Sequence, residues 1–461
     1  MVKKLQNKLY DSSKIDKNKL LFTNKDLKLL LIPLIVEQLL NSLMGMADTM
    51  MVSNVGSAAI SAVSLVDSIN ILVIQIFAAL AVGGTVICSQ YLGRGEKEHC
   101  NEAAQQVFLT VLVISASCTV SFIGCKRWLL SLIFGKVDAQ VMANSLSYFS
   151  ITVLSYPFLA LFSVGSAFYR VSGNSRFPMR ISVISNGLNI VGNAILIFGL
   201  HMGVVGAALA TLLSRIFCCV VIFYYLRKPC QPIVVEKYFS IRPDFSLIRK
   251  ILAIGIPAGI ENGMFQFGKL AIQSTVSMMG TMAIAAQAMT NMLESVNGIG
   301  GIGIGIGLMT VVGQCIGAGR KEEAKYYTIK LMGYAQITIV LSCLITMLLT
   351  KPIMYLAGME TESAKLCFNM MLAITIVKPI IWIYSFVPAY GMRAAGDVKF
   401  SMLVSTGSMW IFRVALCIFL VKVWGFGPFS VWIGMFTDWT VRGMLFMMRF
   451  FSGKWANKQL I

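Results

Sequence analysis

Apolar residues recur in runs of about twenty or more along nearly the whole chain, parted by short polar, glycine-bearing or proline-bearing connections. A run of that length crosses the hydrocarbon of a bilayer as a helix. The pattern predicts spans near 29–51, 60–91, 103–125, 143–169, 180–200, 204–226, 250–276, 283–316, 326–350, 368–392, 402–423 and 428–450. It therefore predicts an all-α integral membrane protein of twelve transmembrane helices. The longest polar connection carries Pro229, Pro232 and Pro243 and parts the spans six and six. The expected order is a basic tail (1–28), an N-terminal six-helix half (29–226), a linker (227–249), a C-terminal six-helix half (250–451) and a short tail (452–461).

The two halves are copies in outline. A shift of 224 positions lays Ile32, Pro33, Glu37, Val52, Ser53 and Gly56 on Ile256, Pro257, Glu261, Val276, Ser277 and Gly280. The same shift lays Gln90, Gly93, Gly95 and Glu98 on Gln314, Gly317, Gly319 and Glu322. At 223 positions, Arg170, Gly173, Phe177, Met179 and Ser182 fall on Arg393, Gly396, Phe400, Met402 and Ser405. Six spans per half is an even number, so both copies enter the membrane from one side. That is a parallel repeat about the membrane normal, which suits a cavity between halves and rocking motions.

Charge orients the spans. Of 39 Lys and Arg residues, set against 20 Asp and Glu, most fall on the side of the amino terminus. This asymmetry places both termini in the cytoplasm of a cell whose plasma (inner) membrane holds the chain. The net charge of +19 then belongs to a membrane surface, and no nucleic acid is expected. Eleven cysteines sit mostly inside apolar runs with no zinc or redox spacing. Residues 1–28 lack the short apolar core and cleavage site of a signal peptide, so they are expected as a cytoplasmic tail, solvated or resting on anionic lipid.

Ionisable groups inside spans are costly and normally face a bundle interior or a wet cavity. Asp48 is the first candidate on that ground, for a functional role or for packing held by neighbouring hydroxyls and amides. It has no acidic counterpart, because position 272 is Ile. Glu37 stands eleven residues earlier, about 20° away around the helix and about 16 Å along it. Glu37 and Glu261, duplicated as they are, are either cavity acids or parts of the shared frame. Asn186, Asn189 and Asn193 share one face of span 5, where amides join helices or, for Asn189 and Asn193, meet Asp48 around a cation. Asp67 with Asn70, and Asn291 with Glu294 at matching positions, suggest an outer vestibule of negative character or acids that are only solvated. Intramembrane bases are Arg215, Lys269, Lys378, Arg413 and Arg442. Asp438 and Arg442, four apart, are expected to pair, and Lys378 has no acid nearby in sequence. The run Gly298–Gly307 contains GxGxxG but lacks the strand and aqueous helix start of a nucleotide fingerprint; glycines there let helices approach closely. The 28 Met and 28 Phe offer adaptable surface.

With its duplicated halves, PxxxE openings, ADTMMVSNVG in span 1, NIVGNAILIFG in span 5 and the GRGE and GAGRKEE turns, the chain resembles the multidrug and toxic compound extrusion (MATE) family from the tail onward. The resemblance implies export of amphipathic, often cationic organic compounds in exchange for Na⁺ or H⁺, with Asp48 as the family's amino-terminal acid. Asn193 stands where some members have Asp, and Asn189 matches the preceding Asn. Glu261 is one turn earlier than the usual span 7 acid, and residues 368–392 contain none, so the second half departs from the pattern of those members that place acids in spans 7 and 10.

A bare carboxylate is unfavourable in a low-dielectric pocket, so Asp48 would take a proton or hold Na⁺. The expected function is secondary antiport of small organic compounds by alternating access, by a monomer in the lipid bilayer. It needs no cofactor beyond the coupling ion. The alternative is a flippase of lipid-linked or polyanionic precursors on a related duplicated scaffold. No converging acid, Cys and His cluster suggests an enzyme, and no catalytic residue is assigned.

Overall fold

The computed structural model describes residues 15–16, 19–53, 55–135, 138–229, 231–236, 238, 241–458 and 460. Most of the tail expected over 1–28, Asn54 of the span 1 motif, parts of the linker and the chain end lie outside these residues. The helices are α1 (Asn24–Ser53), α2 (Ser57–Arg94), α3 (Lys97–Phe134), α4 (Ala139–Leu154), α5 (Tyr156–Val171), α6 (Arg176–Gly199) and α7 (Gly203–Leu226). They continue as α8 (Phe245–Ser277), α9 (Thr281–Asn297), α10 (Ile299–Gly317), α11 (Lys321–Leu356), α12 (Thr361–Ala394), α13 (Val398–Trp424) and α14 (Phe429–Phe451).

Among the described residues, nine helices are long and apolar enough to cross a membrane, and α4 with α5 passes as a pair bent by 41°. The bend falls at Ser155, where Pro157 opens α5; proline is tolerated in the first turn of a helix but not before it. α9 and α10 are likewise one crossing, broken at Gly298. α8 and α14 miss the apolar measure because Glu261, Asn262 and Lys269 interrupt one and Asp438 and Arg442 the other. With these, the helices make the twelve crossings.

By its contacts the chain forms two compact units. The first is Lys28–Gly259. In it α2 packs on α3, α4 and α5, and α7 packs on α4, α5 and α6. The opening of α8 belongs here as well, because Gly83 lies against the backbone of Ile251, and Gly255 against Leu80. The second unit is Ile260–Ile461 with residues up to Leu27. In it α12 packs on α9, α10, α11 and α14, α10 on α11, and α13 on α14. Numbered as crossings, second on third, second on fourth, fourth on sixth and fifth on sixth recur in each unit. The repeat is thus one packing scheme built twice.

Three matched glycine pairs mark its corners. Gly56 and Gly280, Gly95 and Gly319, and Gly173 and Gly396 all have positive φ, between 74° and 130°. A side chain would strain that backbone. These glycines recur because the chain reverses there in a conformation that glycine alone adopts cheaply.

Part of the tail departs from the expectation of a free or lipid-bound segment. Phe22 is buried against Tyr327 of α11 with the rings edge to face. Its amide donates to the Tyr327 hydroxyl at 3.0 Å, and that hydroxyl donates to the Phe22 carbonyl at 2.7 Å. Arg320 donates to the Lys19 carbonyl at 2.8 Å, and Leu21 N to Glu323 at 3.2 Å. An apolar anchor inside a basic segment makes it a strap on the second unit. The linker is also held: Ile233 and Val235 are buried, and Gln106 bonds to the backbone of Arg242 and Asp244 at 2.8 and 3.1 Å.

The glycine run serves packing. A Cβ at Gly301 would lie 2.5 Å from the Trp382 ring, and one at Gly305 would enter the Tyr390 ring. Leucine at position 301 should therefore lower stability by about 1–3 kcal/mol, the usual cost of overpacking a core. The thermal midpoint of the purified protein should drop, whereas Ile302→Leu, at a more exposed position, leaves it unchanged.

Candidate functional site

On α1 the exposed apolar residues Ile32, Val36, Leu39, Leu43 and Met50 form one stripe at helical spacing. Asp48 lies nine positions after Leu39, about 180° round the helix. It is half-buried and leaves from the side opposite the stripe that lipid would cover.

There it meets α6. Asn193 Nδ2 donates to Asp48 Oδ1 at 2.8 Å and to Asn189 Oδ1 at 3.0 Å. Asn189 in turn donates to Thr211 Oγ1 of α7 at 3.3 Å. Asn193 and Asn189 are buried, and at Asn193 the helix widens into the π-helical turn Ala194–Gly199. Such turns reset the direction in which side chains leave and are frequent at functional sites. The Asn193 Oδ1 atom is buried without a hydrogen-bond partner. A free amide oxygen beside a carboxylate is a donor set for a proton or a hard cation. Among the described residues no Lys or Arg nitrogen lies within 4.0 Å of Asp48, and no three His, Cys, Asp or Glu converge on a metal position.

A second polar group lies in the same unit. Asn70 Nδ2 and the Tyr148 hydroxyl donate to Asp67 Oδ1 at 3.0 and 3.4 Å, and the Tyr156 hydroxyl donates to Asn70 Oδ1 at 2.7 Å. Arg215 donates to Ser155 Oγ at 2.6 Å, at the bend of the fourth crossing. It acts electrostatically on Asp67 and Asp48 without an ion pair to either. Asp67 is thus held by neutral groups inside the unit. Tyr148, Tyr156 and Thr211 carry no signal in the sequence, whereas Arg215 stands out there as an intramembrane base.

The remaining acids have fixed cations. Arg170 donates to Glu37 Oε1 at 2.8 Å, and Arg393 to Glu261 Oε1 at 2.5 Å. Both pairs join the first helix of a unit to the end of its fourth crossing, and all four residues are repeat-matched. Of the two sequence readings, cavity acid or shared frame, this geometry supports the frame. Glu294 is also closed off, because Lys378 donates to its Oε1 at 2.5 Å and to its carbonyl at 3.1 Å. The base without a local acid finds one 84 residues away. Asp438 pairs with Arg442 as expected, at 2.9 Å, and with Arg413 at 2.6 Å.

The family model MatE matches residues 33–195 and again 257–419. The two matches are offset by the same 224 positions as the internal repeat. The chain belongs to the MATE family. Among its relatives is the probable multidrug resistance protein NorM of Thermotoga maritima, 26% identical over 95% of this chain and 94% of that one. The uncharacterized transporter YisQ of Bacillus subtilis is 27% identical over 92% and 94%. An outward-facing multidrug resistance MATE transporter of the MOP superfamily superimposes with a TM-score of 0.86, 19% identity and coverage of 97% and 98%. The MATE family is one of membrane transporters for multidrug efflux, and this chain shares its twelve-crossing, duplicated fold.

If the Glu–Arg pairs are frame, breaking one leaves a buried charge without its partner, at about 3–5 kcal/mol. Glu37→Gln and Arg170→Met should each lower the thermal midpoint strongly. The double variant should recover much of the loss, which a double-mutant cycle on purified protein measures.

Proposed function

We propose that this MATE transporter exports amphipathic organic compounds, cationic ones among them, in exchange for H⁺ or Na⁺ carried at Asp48. The observation that supports the reading is the state of that carboxylate. It is half-buried on the side of α1 away from the lipid stripe, accepts one hydrogen bond from Asn193 at 2.8 Å, and has no fixed cation among the described residues. An intramembrane acid that the protein leaves unneutralised is suited to an exchangeable one.

The residues divide the work. Asp48 carries the negative charge, Asn193 orients one of its oxygens, and the free Asn193 Oδ1 can accept from a protonated carboxyl or contact Na⁺. Asn189 and Thr211 hold the Asn193 amide in place. Loading the carboxylate removes its charge and changes its demand on Asn193. That change bears on the packing of α1 against α6, whose π-helical turn begins at the contact. Release of cargo on one side and of the ion on the other then follows from alternating access.

Asp48→Asn should abolish ion-driven efflux in proteoliposomes, and the protein should remain folded because the amide keeps the shape and can still bond to Asn193. Unchanged drug transport by that variant rules out the assignment. Sodium and pH gradients imposed separately on the wild type identify the coupling ion.

The excess of Lys and Arg on one side also leads us to place both termini in the cytoplasm and the chain in the plasma membrane. Cys125, the exposed one among the described cysteines, then lies near the outer surface beside Lys126 and Arg127. A membrane-impermeant maleimide should modify it in intact cells, and Cys125→Ser should remove the label. Labelling only after the cells are opened reverses the topology.

A further inference from the structure

The second unit carries an excess of positive charge in the middle of its crossings. Beyond the Glu261–Arg393 pair, four cations, Lys269, Lys378, Arg413 and Arg442, stand there against two carboxylates, Glu294 and Asp438. The pairing spends these carboxylates on three cations. Lys378 closes on Glu294, while Arg413 and Arg442 share Asp438. Lys269 is left over, with no acid within 4.0 Å among the described residues.

Its position makes the surplus accessible. On α8 the exposed apolar residues Ile256, Ile260 and Phe267 repeat the lipid stripe of α1 at the 224-residue shift. Lys269 lies nine positions after Ile260, about 180° round the helix. It belongs instead to a polar stripe, Asn262, Gln266, Lys269 and Gln273, spaced at four, three and four residues on one face. Lys269 and Gln273 are exposed and the other two half-buried, so this polar face is open. The Phe265 ring supplies an aromatic floor, with Lys269 Nζ 5.0 Å and the Arg413 guanidinium 5.2 Å from its centroid. An ammonium so placed is drawn to the ring face but keeps its hydrogen-bonding capacity. The matching position in the first unit is Gly45.

We infer that the polar face of α8 is a docking point for an organic carboxylate, with Lys269 as the ion-pairing group and Phe265 as the platform for an aromatic body. Building on the export reading above, this places the acidic group of a zwitterionic or anionic amphipathic cargo on α8. Lys269 recognises the acidic group; Gln266 and Gln273, one turn to either side, offer amide donors to its second oxygen. Arg413 stays committed to Asp438 and contributes field rather than contact.

The test uses full-length protein in nanodiscs of zwitterionic lipid and two dyes that differ in one group, rhodamine B with a free carboxylate and its ethyl ester. Wild type should bind the free acid about tenfold more tightly than the ester, the usual scale for one charge-assisted hydrogen bond. Lys269→Gln should erase that difference by weakening the acid alone, and Lys269→Arg should retain it. Equal affinity of the wild type for both dyes, binding of neither, or equal loss of both in Lys269→Gln overturns the proposal. A phospholipid headgroup presents a similar anion, so phosphatidylglycerol is titrated as competitor. Displacement of the acid dye by that lipid assigns the site to a headgroup and overturns the cargo reading, while unchanged binding supports it. Efflux of the ester by Lys269→Gln in inverted vesicles separates the two proposals. Retained ester export keeps the export reading intact whatever becomes of the carboxylate site, and absence of export by wild type refutes that reading alone.

Discussion

A charge placed in hydrocarbon must be neutralised, hydrogen-bonded or kept wet, and this constraint sorts the polar residues of the protein more sharply than any motif does. Glu37 with Arg170, Glu261 with Arg393, Glu294 with Lys378, and Asp438 with Arg413 and Arg442 are closed pairs or triads. In each the protein supplies the counter-charge itself. Asp48, Asp67, Arg215 and Lys269 are different, because among the described residues none has an ion partner within 4.0 Å. Asp67 and Arg215 are satisfied by neutral groups. Asp48 and Lys269 remain, one in each unit, each on the side of its helix away from the lipid stripe. The closed pairs hold the frame, and the open groups are where an exchangeable partner has room.

The duplication explains why the frame can be so uniform while the open groups differ. The Glu–Arg clasp, the glycine corners and the packing scheme recur in both units because each solves a geometric problem that a six-helix copy meets again. A clasp from the first helix to the end of the fourth crossing fixes that helix near one end. Its other end, where Asp48 and its counterpart Ile272 stand, is free to diverge. Both proposed sites fall at positions where the repeat fails.

Much of this was legible in the sequence, and the reasons for the rest are physical. Apolar run length gave the crossings, and the 224-residue shift gave the repeat, because both are one-dimensional signals; the compact units part inside α8, between Gly259 and Ile260, rather than at the linker. The meeting of Asn193 with Asp48 was expected from depth and face, and the two groups bond directly. Asn189 reaches Asp48 only through Asn193, since helical spacing identifies a face but not which of its members touches a neighbour. Partners far apart in the chain were out of reach for the same reason: Arg170 stood out as a repeat match, yet nothing in the sequence aimed it at Glu37, 133 residues away. The strap was missed because a run of lysines outweighs one phenylalanine in composition, whereas burial of Phe22 against Tyr327 decides the fold of that segment.

The polarity of the two open groups bears on energetics. A monovalent organic cation leaving in exchange for one entering H⁺ or Na⁺ moves no net charge, so the membrane potential contributes nothing and the ion gradient alone drives export. A zwitterionic cargo leaving for the same ion carries one net charge inward. At 100 mV that is worth about 2.3 kcal/mol, or roughly a fiftyfold steeper cargo gradient, since each factor of ten is about 1.4 kcal/mol. If Asp48 alone carries the coupling ion, as proposed above, exchange is held near one ion per cycle. Under that limit, the carboxylate site proposed on α8 would do more than widen specificity. It lets one-for-one exchange draw on the electrical as well as the chemical part of the driving force.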